Sequence, residues 1–513
     1  MVIDYVILAL YALSMVAIAM ATRSHSGSVK DFLLAGKRGL NGWMSAFSYG
    51  TTYFSAVIFI GYAGKFGSQY GLAATWIGIG NAILGALVAW LVLAKRTKNM
   101  TVRLSAKTMP EFFEKRYSSR GLKLISAVVV FLFLIPYSAS VYSGLSSLFG
   151  IVFGVPGWIV MLLLALLTAV YLFFGGYFAT ALSDFVQGII MIVGVVVMVM
   201  FFMNSDNVSW DIGKLASDAE HAWFTFGSEN TGIYGNTVSL LSLVLLTSFG
   251  VWALPQTVHK YYAIRDKKAI MQGTVISTVF ALIIGFGAYF VGALSGLFPE
   301  FAGVSGDNII PMMLAKVIPT GFIGIIAVLI LSASMSTLAS VSLASASVVA
   351  VDIYKGKINT GASDKRVNVV MKTLCLVFVA ISVVLAILNE VFGLTAIAYL
   401  MGLSWGTLAG CFIGPFVLGL LSKKVTKAAA WTSIVSTLLL TVGLIFFFGY
   451  HKNGFDCSFG DALALGVSCS PMIGVICMIS SIILTVAVSL FTAKPSDEVI
   501  YEAFDKPIEN EIK

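Results

Sequence analysis

The sequence predicts an all-α polytopic membrane protein with about thirteen spanning helices, and three observations carry that prediction. Only 11% of the 513 residues are charged and 58% are hydrophobic, against about 25% charged residues in an ordinary soluble domain. Apolar runs recur along the chain, and many reach the roughly 20 residues that a spanning helix needs. The basic residues fall on alternate connections between those runs. The net charge of +8 therefore reads as membrane topology, not as a surface for nucleic acid.

Taken in order, spans are expected at 2–21, 43–64, 72–94, 124–149, 157–174, 185–203, 237–259, 270–297, 321–350, 369–388, 391–421, 428–449 and 470–492. The first has no basic n-region and no small-residue cleavage site, so it is expected to be a retained span and not a signal peptide. Connections after the odd-numbered spans, with the C-terminal tail, hold all but four of the 32 Lys and Arg. The other side keeps only Lys65, Lys214, Lys316 and Lys452, beside acidic loops. The positive-inside rule then puts the N-terminus outside and the C-terminus in the cytoplasm of the cell membrane. The outer loop 206–236 is long enough for a short helix over the outer face, and the tail 493–513 is too short for a soluble domain. Cys375, Cys411 and Cys477 lie in apolar runs as packing residues. Cys457 and Cys469 share a polar loop that suits either a disulfide or two free thiols.

Several chemistries lack their motifs. There is no G-x-x-x-x-G-K-[ST] phosphate loop, no H-E-x-x-H and no paired C-x-x-C, so neither ATP-driven pumping by this chain alone nor catalysis has support. His25, His221, His259 and His451 are scattered through loops and span ends and read as solvated residues.

The hydroxyls of the ninth span are the strongest chemical signal. "LSASMSTLASVSLASASVV", residues 331–349, carries seven serines and Thr337 within 332–347. Ala333, Ser336 and Thr337 share one helical face at i, i+3, i+4. Two hydroxyls and a freed carbonyl on that face suit a hard cation such as Na+, which takes neutral oxygens without a fixed charge. Serines in membrane helices also back-bond to their own i−4 carbonyls or simply let helices approach. Both readings stand for the run; only Ser336 and Thr337 are proposed as ligands.

The remaining ion ligands need an interrupted helix. "SYGTTYFSAVIFIGYAGKFG", residues 48–67, places Gly50, Thr51 and Thr52 a few residues into a span, where a break frees carbonyls. "SFGVWALPQTVHKYYAIRD", residues 248–266, carries Gly250 and Pro255, which break a second span. Two interrupted spans about 200 residues apart suit two five-helix halves, 43–205 and 237–421, preceded by 1–42 and followed by two helices in 422–492. Asp184, in "FFGGYFATALSDFVQG", is an intramembrane carboxylate with two readings, a functional group or, with Ser183, the N-cap of the next helix. Asp352 closes the serine-rich helix at the cytoplasmic surface and reads as structural.

These stretches, with "TMPEFFEKRY" at 108–117, resemble the sodium:solute symporter family in order from about residue 30 to 420. That family includes sodium/proline, sodium/pantothenate and sodium/glucose transporters. The resemblance implies a LeuT-like fold of two inverted five-helix repeats. It also implies a sodium site made by the carbonyls of Thr51, Phe54 and Ala333 and the hydroxyls of Ser336 and Thr337, with Asp184 on the inward path of the ion. Tyr53 stands where proline transporters have an aspartate, Thr247 and Val251 where they have aromatic contacts, and Ile58 where sugar transporters have a glutamine. These departures speak against proline and sugar; Tyr177 for a smaller apolar residue is a minor one.

The expected activity is Na+-coupled symport of a small organic solute, a carboxylate or amino acid-like compound. The solute is expected between the two broken helices, near Ser55, Ile58, Val251, Trp252 and Pro255, with Tyr137, Ser140 and Ser404 at hand. Expected partners are the solute, the sodium ion and the lipid bilayer, with no nucleic acid and no obligate protein partner. The alternatives are a proton-coupled carrier of the same fold and a membrane sensor without transport.

Overall fold

A computed structural model of the chain describes residues 2–22, 29–34, 39–217, 223, 236–453 and 456–508. Among these, eleven helices are long and apolar enough to cross a membrane. Two of the eleven are 47 residues long, Val57–Arg103 and Gly157–Met203. Each leaves helical geometry once, at Gly71 (φ 55°) and at Gly176 (φ 68°). These backbone values favour glycine, because a Cβ would crowd the carbonyl oxygen.

The serine-rich helix Ile323–Ser347 is the centre of the molecule. Every residue in it except Ile325 is buried. It packs against Val2–Thr22, Gly42–Tyr53, Arg120–Phe153, Gly157–Met203, Pro255–Tyr262 and Asp364–Phe392. A helix surrounded on all sides by others needs small side chains, and its alanines and serines supply them. Elsewhere helices touch through glycine: a Cβ on Gly67 would lie 2.3 Å from the carbonyl carbon of Gly292.

The two expected interruptions are present. Helix Gly42–Tyr53, capped by Asn41 whose side chain accepts from the Met44 amide at 2.9 Å, ends where Phe54 turns extended (φ −108°, ψ 121°). The chain resumes as wide π-helical turns over Val57–Tyr62. Gly50 does not itself break the helix; it is helical and buried, and a Cβ there would lie 2.4 Å from the Phe280 ring. The second interruption falls as Gly250 and Pro255 predict: helix Asn236–Gly250 stops at the glycine, and Pro255 opens helix Pro255–Tyr262. Backbone bonds from Leu40 N to Ala263 O (2.8 Å) and from Arg265 N to Leu40 O (3.1 Å) tie one end of each broken helix together.

A short helix, Gly213–Ser217, lies in the expected outer loop; residues 218–222 and 224–235, with His221, are outside the described residues, as is His25. Cys457 and Cys469 are both free thiols, which decides between the two readings of that loop.

Candidate ion and solute site

The break after Tyr53 creates the candidate ion site. The last carbonyls of a helix have no intrahelical partner, and here they fall deep in the protein. The serine-rich helix meets them. Ser336 Oγ donates to Thr51 O at 3.0 Å, and Thr337 Oγ1 lies 3.3 Å from Thr51 O and 3.4 Å from Thr52 O. The same two hydroxyls reach Ala333 O, each at 3.0 Å. Thr51, Ala333, Ser336 and Thr337 are thus brought together, and Thr52 joins them. Phe54 sits at the break, one residue past the helix; no hydrogen bond joins it to Ser336 or Thr337. A cluster of carbonyl and hydroxyl oxygens with no charged member suits a monovalent hard cation carried as cargo.

Other hydroxyls of the helix divide as packing predicts. Ser334 back-bonds to Ile330 O at 2.7 Å and Ser347 donates to Ala344 O at 2.8 Å. Ser340 is different: it lies one turn from Ser336 and belongs to a second, charged cluster. Its Oγ is 2.9 Å from Thr52 Oγ1 and receives Lys260 Nζ at 2.8 Å. Lys260 Nζ also lies 3.4 Å from Asp184 Oδ2, and Ser48 Oγ donates to that oxygen at 2.6 Å. Asp184 and Lys260 are 0% and 2% exposed, so the pair is shielded from solvent.

This cluster corrects several expectations. Asp184 is no N-cap: it lies inside a helix, two turns past the break at Gly176, and its carboxylate bonds to other elements. Lys260, counted from sequence among the loop residues, is buried. His259 is only partly exposed, its ring packing against those of Tyr177 (5.3 Å) and Tyr262 (5.4 Å). Tyr177 is no minor change, since its ring faces the Lys260 ammonium at 5.3 Å. Asp352 does not close its helix at the surface: the helix runs on to Ile358, and Asp352 is buried, accepting from Thr108 Oγ1 at 2.8 Å with Lys123 Nζ 3.7 Å away.

The expected solute residues separate into those that face the breaks and those already engaged. Ser55, Ile58, Val251 and Pro255 are buried at the two interruptions. The Tyr137 hydroxyl is buried near Ser55, Thr337 and Trp405 without a hydrogen bond of its own. Ser140 is spent on Tyr137 O at 2.7 Å, Trp252 Nε1 on Leu84 O at 3.0 Å, and Ser404 on Phe133 O. Sequence reasoning missed Trp405. Its ring lies 6.0 Å from Tyr53 and 5.5 Å from Tyr137, beside Gly250, and its indole Nε1 is buried and unpartnered. A tryptophan next to the selected Ser404 was the available signal. Two orphan polar groups, Tyr137 OH and Trp405 Nε1, thus flank the break at Ser55, where a solute could engage them.

Comparison with known proteins gives this geometry a context. The profile of the sodium:solute symporter family matches residues 32–449. The chain is 27% identical over 449 residues to the osmoregulated proline transporter of Bacillus subtilis, covering 85% of this chain and 88% of that protein. It is 28% identical over 434 residues to the sodium/pantothenate symporter of Haemophilus influenzae, covering 82% and 87%. Among solved structures, a substrate-bound, outward-open Na+-coupled sialic acid symporter superposes with a TM-score of 0.77 at 19% identity, covering 96% of this chain and 99% of that one. MhsT in complex with L-phenylalanine superposes at 0.52 with 12% identity, covering 87% and 100%. At such identities the structural likeness speaks for the fold alone.

Proposed function

The chain belongs to the sodium:solute symporter family, a family of membrane transporters and not of enzymes, and on that premise we propose that it moves Na+ and a small organic solute into the cell together. The observation that carries the reading is the meeting of Thr51 and Thr52 carbonyls with Ala333, Ser336 and Thr337 at a helix break. The proposed ion ligands are Thr51, Ala333, Ser336 and Thr337, with Phe54 joining through its carbonyl when the ion is bound. Asp184 stands on the way inward, one helical turn further along.

Counting the 47-residue helices as two spans each at Gly71 and Gly176 gives thirteen. That number supports a LeuT-like arrangement with the N-terminus outside and the C-terminus in the cytoplasm. The repeats would cover 43–205 and 237–421. Alternating access would then rock the broken helices about the ion.

The energetics suit such a carrier. One charge moving inward through about 100 mV releases about 2.3 kcal/mol. A tenfold Na+ gradient adds about 1.4 kcal/mol. Together they support accumulation of a neutral or zwitterionic solute by roughly several hundredfold. In the ion-free arrangement Ser336 donates to Thr51 O at 3.0 Å, while Thr337, whose one proton has its nearest acceptor in Ala333 O at 3.0 Å, stands 3.3 Å from the same Thr51 carbonyl. Na+ would take those oxygens and draw the two segments into the arrangement that accepts solute. Tyr137, whose hydroxyl lies near both Thr337 and Ser55, is placed to relay that change to the solute.

The solute is proposed to be a small carboxylate or amino acid-like compound. The space between the breaks is apolar and aromatic, with the buried N-terminus of helix Pro255–Tyr262, where Thr257 N and Val258 N bond to Leu254 O and the Gln256 backbone amide is left over, as its charge-seeking element. The Asp184–Lys260 pair supports a second reading, a proton-coupled carrier, because it places titratable groups one turn from the oxygen cluster. Uptake of labelled candidate acids and amino acids into proteoliposomes separates the readings. Accumulation that follows an inward Na+ gradient and vanishes in choline supports symport with Na+; accumulation driven by a pH gradient in choline supports the alternative; accumulation of none of them under either gradient supports a sensor.

A further inference from the structure

The charged cluster beside the ion site has the composition of a cation site. With the ammonium set aside, it comprises the Asp184 carboxylate, whose Oδ1 is buried and unpartnered, and the hydroxyls of Ser48, Thr52 and Ser340. A carboxylate with three hydroxyl oxygens is a harder and more attractive donor set for an alkali ion than the neutral cluster next to it. The two clusters are joined. Thr52 offers its carbonyl to one, 3.4 Å from Thr337 Oγ1, and its hydroxyl to the other, 2.9 Å from Ser340 Oγ. Ser336 and Ser340 are four residues apart on one helix, a separation of about 6 Å along its axis.

Lys260 fills this second set. Its Nζ touches Ser340 Oγ at 2.8 Å and Asp184 Oδ2 at 3.4 Å, and the Tyr177 ring faces it at 5.3 Å. An ammonium is a compact point charge with the donors to satisfy just such oxygens. A cavity of about 10 Å³, lined among others by Tyr177, Gln256, His259 and Ser340, adjoins the lysine. Both amide atoms of Gln256 and the Tyr177 hydroxyl are buried there without partners. That is room and polarity for about one water, which would complete the shell of an ion in the lysine's place.

Resting on the Na+ reading of the neutral cluster, we infer that the Lys260 ammonium is a built-in cation occupying a second, latent Na+ site formed by Ser48, Thr52, Asp184 and Ser340, and that it holds the carrier to one Na+ per cycle. The tether keeps Asp184 neutralised through the cycle, so only the neutral cluster exchanges its ion with the solution. Removing the positive charge converts the latent site into a working one.

The test is equilibrium binding of 22Na+ to the purified full-length protein by scintillation proximity, with choline replacing Na+. Wild-type protein is expected to bind one Na+ per chain with a Hill coefficient near 1. Lys260→Gln is expected to bind two, with a Hill coefficient above 1, and Lys260→Met serves equally if the glutamine variant does not fold. Lys260→Arg and the double variant Asp184→Asn/Lys260→Gln are expected to return to one, the first by restoring the cation and the second by removing the carboxylate. Two Na+ bound to the wild-type chain overturns the inference without recourse to any variant. So does a folded Lys260→Gln or Lys260→Met protein that binds one. Wild-type protein that binds no Na+ overturns the Na+ reading itself, so the two failures are distinct.

Discussion

Replacing Asp184 by Asn leaves the Lys260 ammonium buried against an amide. The cost can be worked from the contacts. Opposite charges 3.4 Å apart attract by about 5 kcal/mol at an effective dielectric constant near 20. The Ser48 hydrogen bond to the same carboxylate, at 2.6 Å, adds about 1.5–3 kcal/mol because its acceptor is charged. Part of this is offset because an amide is easier to bury than a carboxylate, so the net destabilisation is expected near 3–5 kcal/mol, the usual result of orphaning one member of a buried pair. Removing the second charge as well, in Asp184→Asn/Lys260→Met, should recover all but about 2 kcal/mol, since the penalty lies in the unpaired charge. A double-mutant cycle should therefore return a coupling of at least about 2 kcal/mol. Denaturation of the four proteins in one detergent, in choline without Na+, measures it. If Asp184→Asn unfolds within about 1 kcal/mol of wild type, or if the two single losses simply add, the two groups are not a buried ion pair and the reasoning is refuted.

Other consequences can be checked in parallel. Ser336→Ala or Thr337→Ala removes one ion ligand but also an ion-free hydrogen bond worth about 1 kcal/mol, so each should raise the Na+ requirement of uptake by roughly 3- to 30-fold; Ser332→Ala and Ser345→Ala, on the same helix, should leave it unchanged. Trp405→Leu should weaken solute binding at least tenfold in a thermal-shift titration while 22Na+ binding persists, since Trp405 reaches the breaks and not the oxygen cluster. Gly176→Ala forces an alanine to φ 68° and should cost about 1–2 kcal/mol of stability, whereas Gly443→Ala, with nothing within 4 Å of the added Cβ, should cost none. A membrane-impermeant maleimide should label Cys457 on intact cells, because this half-buried free thiol lies on the outer side in the proposed topology; labelling only after permeabilisation would reverse the orientation.

The parts of this molecule that follow local rules were legible in its sequence. Length and apolarity gave the helices, and Gly250 with Pro255 marked the second break at its observed place. The first break was legible only to within a few residues. Gly50 drew attention to it, yet Gly50 is there to admit the Phe280 ring, and the chain opens at Phe54 and Ser55 instead. The i, i+3, i+4 face of Ala333, Ser336 and Thr337 was readable because helical geometry alone creates it. The Asp184–Lys260 pair was not, because its members are 76 positions apart. Each sits near the end of an apolar run, where a cap or a loop is the ordinary reading. Only the packing of three helices around Ser340 brings them together. Trp405 was hidden for a similar reason. One aromatic in an apolar span carries no local sign that its neighbours will be two helix breaks.

Sodium-coupled transport by this chain requires above all that neutral oxygens from the 42–53 helix and the serine-rich helix close around one sodium ion. Cryo-electron microscopy of the protein in Na+ and in choline tests this most directly. Density for an ion is expected among Thr51 O, Ala333 O, Ser336 Oγ and Thr337 Oγ1 in Na+ and is expected to be missing in choline, with the two hydroxyls turned from Thr51 O to the ion. Hydroxyls still bonded to Thr51 O at saturating Na+, with no ion between them, would contradict it.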